Sequence, residues 1–254
     1  MFVKNFKAAV GFFLMCFGSV AYGQNFKVVL DPGHGGKDTG AFRGNVVEKN
    51  IVLDVALKVG ELLKKDKDIK VVYTRSTDVF IEVRERTRIA NREKADVFIS
   101  IHANSAQNRS AYGTETFLMG LDKTAANLDV AKRENEVITL ESDYKKQYEG
   151  FDPNRPESLI GLTLIQEQFI EQSIALASYI QKGFANEVKR HNRGVKQGPF
   201  WVLHSALMPS ILIELGFVSN AEEGAFLNSD SGRNQLAKSI AEAILNYKKN
   251  VSGN

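Results

Sequence analysis

The sequence predicts an α/β fold: a single, largely parallel, twisted sheet of about six strands flanked by helices. Three observations predict it. Short apolar runs rich in β-branched residues recur along the chain, and helical stretches lie between several of them. Several of the runs are continuously apolar instead of alternating, which is the pattern of strands covered on both faces. A strand, a helix and a second strand in that order imply a right-handed crossover and parallel neighbours.

Residues 1–23, MFVKNFKAAVGFFLMCFGSVAYG, carry Lys4 and Lys7, then an apolar run from Ala8 to about Val20. They read as a secretory signal peptide cleaved after Gly23, because the run is shorter than the roughly 20 residues that cross a bilayer. No stable membrane anchor is expected. Cys16 is the one cysteine, so the domain expected over residues 24–254 must be held by its core without a disulfide. The whole chain has a net charge of +3, and loss of Lys4 and Lys7 lowers it to +1. That balance argues against a nucleic-acid partner. No repeat or Pro/Gly/Ser linker divides the chain, and a monomer is the default expectation.

The strands are expected at 26–31 (FKVVLD), 69–74 (IKVVYT), 95–101 (ADVFISI), 113–119 (GTETFLM), 198–203 (GPFWVL) and 209–215 (PSILIEL). Between the first two, EKNIVLDVALKVGELLKK places apolar residues at 51, 52, 55, 59, 62 and 63, the period of a helix with one buried face. The C-terminal NQLAKSIAEAILNYKKN aligns Leu236, Ile240, Ile244 and Tyr247 on one side and should cover the sheet. The charged interval from about 121 to 165 breaks this rhythm and reads as an insertion, helical from about Thr124 to Glu141 and looser near Pro153 and Pro156.

Three chemically capable side chains sit at strand ends. His34 lies in the glycine-rich turn of VVLDPGHGGKDTGA, His102 follows VFISI, and Glu214 follows ILI. In open α/β sheets, ligands bind outside the carboxyl ends of the strands, so these three segments aim at one rim. Glu48 points along the buried stripe of the first helix, although Asn45 with Glu48 three residues on also fits a capping box. Two imidazoles and one carboxylate satisfy three corners of a tetrahedral zinc site and leave the fourth for water or substrate. Glu214 is then the candidate catalytic carboxylate, because an ionisable group within an apolar strand is costly unless paired or working. His191, in a basic turn, reads as solvated, and His204 could line the site. No G-x-S-x-G elbow supports serine chemistry.

At these residues the sequence resembles the zinc-dependent N-acetylmuramoyl-L-alanine amidases of the "amidase 3" type, which are bacterial cell-wall hydrolases. The matching blocks are VVLDPGHGGKDTGA, EKNIVLDVALKVGELL, VVYTRSTDVFIEVRERTRIAN, ADVFISIHANS and PSILIELGFVSNAEE, in order over nearly all of residues 24–254. The resemblance implies one zinc ion held by His34, Glu48 and His102, with Glu214 as the catalytic carboxylate. It implies peptidoglycan as substrate, cut between N-acetylmuramic acid and the L-alanine of the stem peptide. Arg75, Asp78, Arg86 and Asn91 match a family block and are assigned to holding the fold or the cleft edge.

The insertion looks like that of Gram-negative cell-division amidases, in which a helix covers the zinc until an activator protein displaces it. That likeness implies a periplasmic location and makes Glu134 or Glu141 the candidate inhibitory ligand, since Leu128, Ala131, Glu134, Ile138 and Glu141 share a helical stripe. The alternatives are a catalytically silent peptidoglycan-binding protein and a zinc peptidase that cuts within the stem peptide.

Overall fold

Strand β1 (Phe26–Pro32) starts a computed structural model that describes residues 25–120, 124–148 and 167–253. The expected signal peptide and the segment around Pro153 and Pro156 lie outside the described residues. After β1 come a two-strand ladder of β2 (Phe42–Arg43) and β3 (Val46–Val47), helix α1 (Glu48–Leu63), β4 (Ile69–Tyr73), α2 (Val83–Glu93), β5 (Val97–Asn104) and β6 (Thr114–Met119). Helix α3 (Ala125–Glu136), a 3-10 turn over Val137–Leu140 and α4 (Tyr144–Gln147) form the described part of the insertion. Helix α5 (Ile170–Asn186), β7 (Asn192–Gly198), α6 (Trp201–His204), β8 (Ser210–Phe217), α7 (Ala221–Asn228) and α8 (Asp230–Val251) complete the chain.

The strands form a six-stranded sheet in the order β4-β1-β5-β8-β6-β7. Strands β4, β1, β5 and β8 are mutually parallel, β6 runs antiparallel to β8, and β7 is parallel to β6. The amino ends of β6 and β7 therefore lie at the rim formed by the carboxyl ends of β5 and β8. Alternation along each strand sends Val28, Leu30, Ile99, Ile101, Ile211 and Ile213 into one core beneath α1, α5 and α8. Val29, Phe98, Phe117 and Leu212 enter a second core with residues of α2, α3 and α6. Helix α1 is held by Ile51, Val52, Val55, Val59 and Leu63, all buried, each contributing about 1.5–3 kcal/mol of apolar burial.

One strand differs from its sequence expectation. The run 198–203 is not a strand: β7 occupies Asn192–Gly198, and Trp201–His204 is a short helix. Pro199 cannot donate to a ladder and ends the strand, and β7 itself is a polar edge strand whose NRGVKQG lacks an apolar signature. The capping box also fails: Val47 precedes α1 in an extended conformation with no side-chain cap, and Glu48 is the first helical residue.

Beneath the rim, Asp31 is fully buried and accepts from Arg86 Nη1 (2.8 Å), Thr74 Oγ1 (2.5 Å) and Ser100 Oγ (2.7 Å). Burial opposes its ionisation, but the Arg86 charge and these hydrogen bonds hold its carboxyl below the ordinary value. Arg86 also donates to the carbonyls of Pro32 (2.8 Å) and His34 (2.9 Å), so one guanidinium fixes the turn that carries His34. Arg75 grips the same turn through the carbonyls of Pro32 (3.0 Å) and Gly33 (2.7 Å).

Because the folded pKa of Asp31 is depressed, its contribution is present above its unfolded value and is lost as pH falls through the folded one. Arg86→Met strands the carboxylate and reverses that dependence. The expected loss is about 3–5 kcal/mol at pH 7, shrinking as pH falls toward the unfolded carboxyl value of about 4 and further below it, as read by urea unfolding across pH.

Candidate metal centre

His34, Glu48, His102 and Glu134 offer ligand atoms that all lie within 4.8 Å of one another, and all four residues are buried. Three of them come from the rim of the sheet and its first crossover; Glu134 comes from α3. His34 adopts φ of 60°, in the left-handed region that non-glycine residues seldom enter, and the Arg75 and Arg86 contacts to the turn hold it there. Gly33 is required beside it: a Cβ at Gly33 would lie 2.4 Å from the His102 ring. Gly40 closes the other side, where a Cβ would fall 2.6 Å from both Glu48 Oε2 and the His34 ring.

Glu48 is placed by the tight ladder before α1. Its Oε2 accepts from Ala41 N (2.7 Å) and its Oε1 from Ala103 N (2.9 Å), and its position in the first helical turn suits a carboxylate. His102 lies on β5 just before a register break against β8, which takes three residues from Glu214 to Phe217 where β5 takes two from His102 to Asn104. Gly216, with φ of 147°, absorbs the extra residue. Such a bulge re-aims side chains at a strand end. Asp38 Oδ2 lies 2.7 Å from His34 Nδ1, the arrangement that fixes a ring tautomer and leaves Nε2 for a metal.

The distances test whether the group fits a cation. Four donors around a tetrahedral zinc at 2.0–2.1 Å stand roughly 3.3 Å apart. Here His34 Nε2 lies 3.0 Å from Glu48 Oε1 and 3.4 Å from Glu134 Oε2, and His102 Nδ1 lies 3.3 Å and 2.9 Å from the same two oxygens. Yet His34 Nε2, His102 Nδ1 and Glu134 Oε2 make no hydrogen bond of acceptable angle among the described residues. Buried polar atoms left unsatisfied are costly, so atoms that approach without bonding point at a shared centre between them.

The electrostatics agree. Burial disfavours a charged His34, but the Glu48 carboxylate and contacts with Asp38 and Glu134 raise its pKa well above the usual value. Burial also opposes ionisation of Glu48, yet His34 and His102 hold it at about 2. Glu134 is likewise held down, against burial, by His102 and His34. The site stabilises two carboxylates by whatever positive charge it can recruit, which is the demand a divalent cation meets.

Glu214 pairs in register with His102 across β5 and β8, so both side chains leave the same face of the sheet. It is fully buried, and neither carboxylate oxygen has a hydrogen-bond partner among the described residues. Burial, then the charges of Glu134 and Glu48, push its pKa well up, and Arg133 only partly offsets them. The ion pair that could have explained it is absent among the described residues.

The stripe of the insertion is legible only over its first two turns. After Glu136 the helix tightens into the 3-10 turn, which rotates Glu141 out of line with Glu134. Glu141 instead accepts from Val83 N (2.7 Å) at the start of α2 and from Tyr148 Oη (2.7 Å), and it stands outside the four-residue cluster. His204 packs edge-on against Trp201 and stands outside the cluster, and exposed His191 stacks on Tyr112. Asp78 accepts from Gly36 N (2.7 Å) beside the His34 turn, whereas Asn91 donates to Ser205 O (2.7 Å) near the amino ends of β5 and β8, away from the cluster. Asp38 was missed, because one acid in a glycine-rich loop has no periodicity to mark it.

Residues 28–246 match the family described as N-acetylmuramoyl-L-alanine amidase. The chain belongs to that family. It is 36% identical over 225 residues to N-acetylmuramoyl-L-alanine amidase AmiA of Escherichia coli strain K12, covering 87% of this chain and 75% of that one. The solved amidase from Clostridium difficile 630 superposes with a TM-score of 0.68 at 29% identity, over 89% of this chain and 98% of that one. The amidase AmiC2 of Nostoc punctiforme gives 0.66 at 30% identity, over 88% and 97%. The CwlD amidase from Clostridioides difficile, solved in complex with the GerS lipoprotein, gives 0.64 at 25% identity, over 89% and 99%. The activity is therefore that of a peptidoglycan hydrolase, an amidase. Among the described residues no helix is long and apolar enough to cross a membrane.

His34→Ala, Glu48→Ala and His102→Ala are expected to abolish stoichiometric binding of a divalent metal, and Asp38→Asn to weaken it about 10–100-fold. Chelator competition monitored by metal analysis checks this. Parent-like binding by Glu48→Ala would leave that residue a structural acceptor only.

Proposed function

We propose that the chain is an exported zinc amidase, held shut in its resting form by its own insertion. One observation carries the catalytic reading: a partnerless Glu214 sits in register beside His102, where His34, Glu48 and His102 converge. A zinc ion held by these three would polarise the scissile carbonyl and lower the pKa of a bound water. Glu214 takes the proton of the attacking water and delivers it to the departing L-alanine nitrogen. His34 and His102 serve as neutral donors, with Asp38 orienting His34.

The closed state is supported by Glu134, whose carboxylate takes the position that the water or substrate carbonyl requires. Helix α3 is fastened there independently: Asn127 Nδ2 donates to Gln197 O (3.2 Å), Asn135 Nδ2 to Pro199 O (2.8 Å), and Trp201 N to Asn135 Oδ1 (2.9 Å). An activator protein would have to lift this helix. Residues 1–23 would direct export to the periplasm, where septum cleavage or wall turnover needs such an activity.

Two outcomes test this reading. Glu214→Gln should fold and keep its metal while losing about 10²–10⁴ in turnover on purified sacculi, since only the proton carrier is lost. Glu134→Ala should raise basal release of stem peptides about ten-fold or more, the equivalent of about 1.4 kcal/mol of closed-state preference. Mass analysis of the products distinguishes an amidase, which frees whole stem peptides, from a peptidase that cuts within them. Unchanged or lower activity in a folded Glu134→Ala contradicts the closed state.

A further inference from the structure

Helix α3 divides a groove. On the His34 side lies a cleft of about 520 Å³ bordered by Phe42, Ser105 and Leu140. On the other side lies one of about 660 Å³ bordered by Asn104, Ser105, Phe217, Arg193 and Lys196. Arg133 and Ser105 line both, so the helix bisects one depression that crosses the metal centre. The second cleft has a charge pattern that the amidase chemistry described above does not use.

That pattern is built on Glu115. In the antiparallel register Glu115 faces Glu214 directly, so the row His102, Glu214, Glu115 runs across β5, β8 and β6 on one face. Glu115 is almost fully buried, and its carboxylate accepts from Asn104 Nδ2 (2.5 Å), Arg193 Nε (3.1 Å) and Lys196 Nζ. Two cations share one carboxylate, which leaves a net positive charge at the wall. Arg193 Nε and Nη1 are engaged, the latter to Tyr112 O (3.3 Å), whereas Nη2 has no hydrogen bond among the described residues. The guanidinium also lies over the Phe217 ring at 4.9 Å, which restrains its plane, and Arg193 and Phe217 both line the cleft. The cleft as a whole carries Lys132, Arg133, Arg193 and Lys196 against Glu115 and Asp129. Removal of α3 takes Lys132, Arg133 and Asp129 with it and leaves the positive sheet wall.

We propose that Arg193 and Lys196, braced by Glu115, form a subsite for a free carboxylate of the stem peptide. The inference rests on the amidase reading and deepens it. Adjacent strands lie about 4.8 Å apart, so β7 stands roughly 10 Å from β8, and an extended peptide advances about 3.3 Å per residue. A stem peptide with its scissile amide at Glu214 therefore brings its second or third residue to Arg193. A guanidinium with a free edge beside an ammonium recognises a carboxylate and discriminates against a carboxamide, which offers one acceptor and no charge. The subsite sets specificity for the acidic form of the peptide.

The test uses the full chain carrying Glu134→Ala and a free stem tripeptide, L-alanine first, with carboxylates at its second and third residues. The same tripeptide with both converted to carboxamides is the comparison, and calorimetry reads binding. The carboxylate form should bind about ten-fold or more tightly than the carboxamide form. Arg193→Gln in that background should bring the ratio to about two-fold by weakening only the carboxylate form, and Lys196→Gln should reduce it in the same direction should Arg193→Gln not fold. No preference in the Glu134→Ala chain, no binding at millimolar peptide, or an unchanged ratio in a folded variant overturns the subsite. Release of stem peptides from sacculi by the same Glu134→Ala chain reads the amidase activity separately, so failure of the subsite and failure of the enzyme reading are told apart.

Discussion

Two buried imidazoles and two buried carboxylates brought within 4.8 Å are the constraint on which the rest of this structure depends. Such a group is expensive. Its nitrogens and oxygens approach at 2.9 to 3.4 Å without bonding one another, and nothing else among the described residues satisfies three of them. The surroundings are arranged to tolerate this cost. Arg86 and Arg75 clamp the backbone of the His34 turn, Asp31 neutralises Arg86 in the interior, and two backbone amides fix Glu48. A divalent cation would satisfy the same group.

The sheet supplies the remaining geometry through register. Because β5, β8 and β6 are neighbours, His102, Glu214 and Glu115 line up although they are distant in sequence. The reversal of β6 brings the amino ends of β6 and β7 to the rim that carries the carboxyl ends of β5 and β8. The His102 end of the cluster, the buried Glu214 and a cationic wall therefore follow one another at strand spacing. That order matches an extended substrate laid across the strand ends. Helix α3 crosses it at the centre, so a single segment stands over the four-residue cluster and separates both halves of the groove.

Much of the site was legible because strand ends carry a signal. His34 and His102 follow apolar runs, Glu214 interrupts one, and Glu48 lies on the stripe of an amphipathic helix. What stayed hidden depended on strand order or on local helix geometry. Glu115 reads as an ordinary polar position of an alternating strand, and only the adjacency of β6 and β8 reveals that it faces Glu214. Strand β7 was displaced by six residues at its start because an edge strand needs no apolar face, whereas FWVL in a short helix imitates a core strand. Glu134 and Glu141 were equivalent on an ideal helix, and the 3-10 turn between them separated their fates.

The central claim is that the cluster is a metal centre of two imidazoles and at least one carboxylate. X-ray absorption spectroscopy at the zinc edge, on full-length protein reconstituted with one equivalent of zinc, tests it directly. A first shell of nitrogen and oxygen only, near 2.0–2.1 Å, with outer-shell scattering from two imidazoles, is the result the account requires. A shell of six oxygens without imidazole scattering would contradict it, since the ion would then be held by surface carboxylates or water and not by His34 and His102.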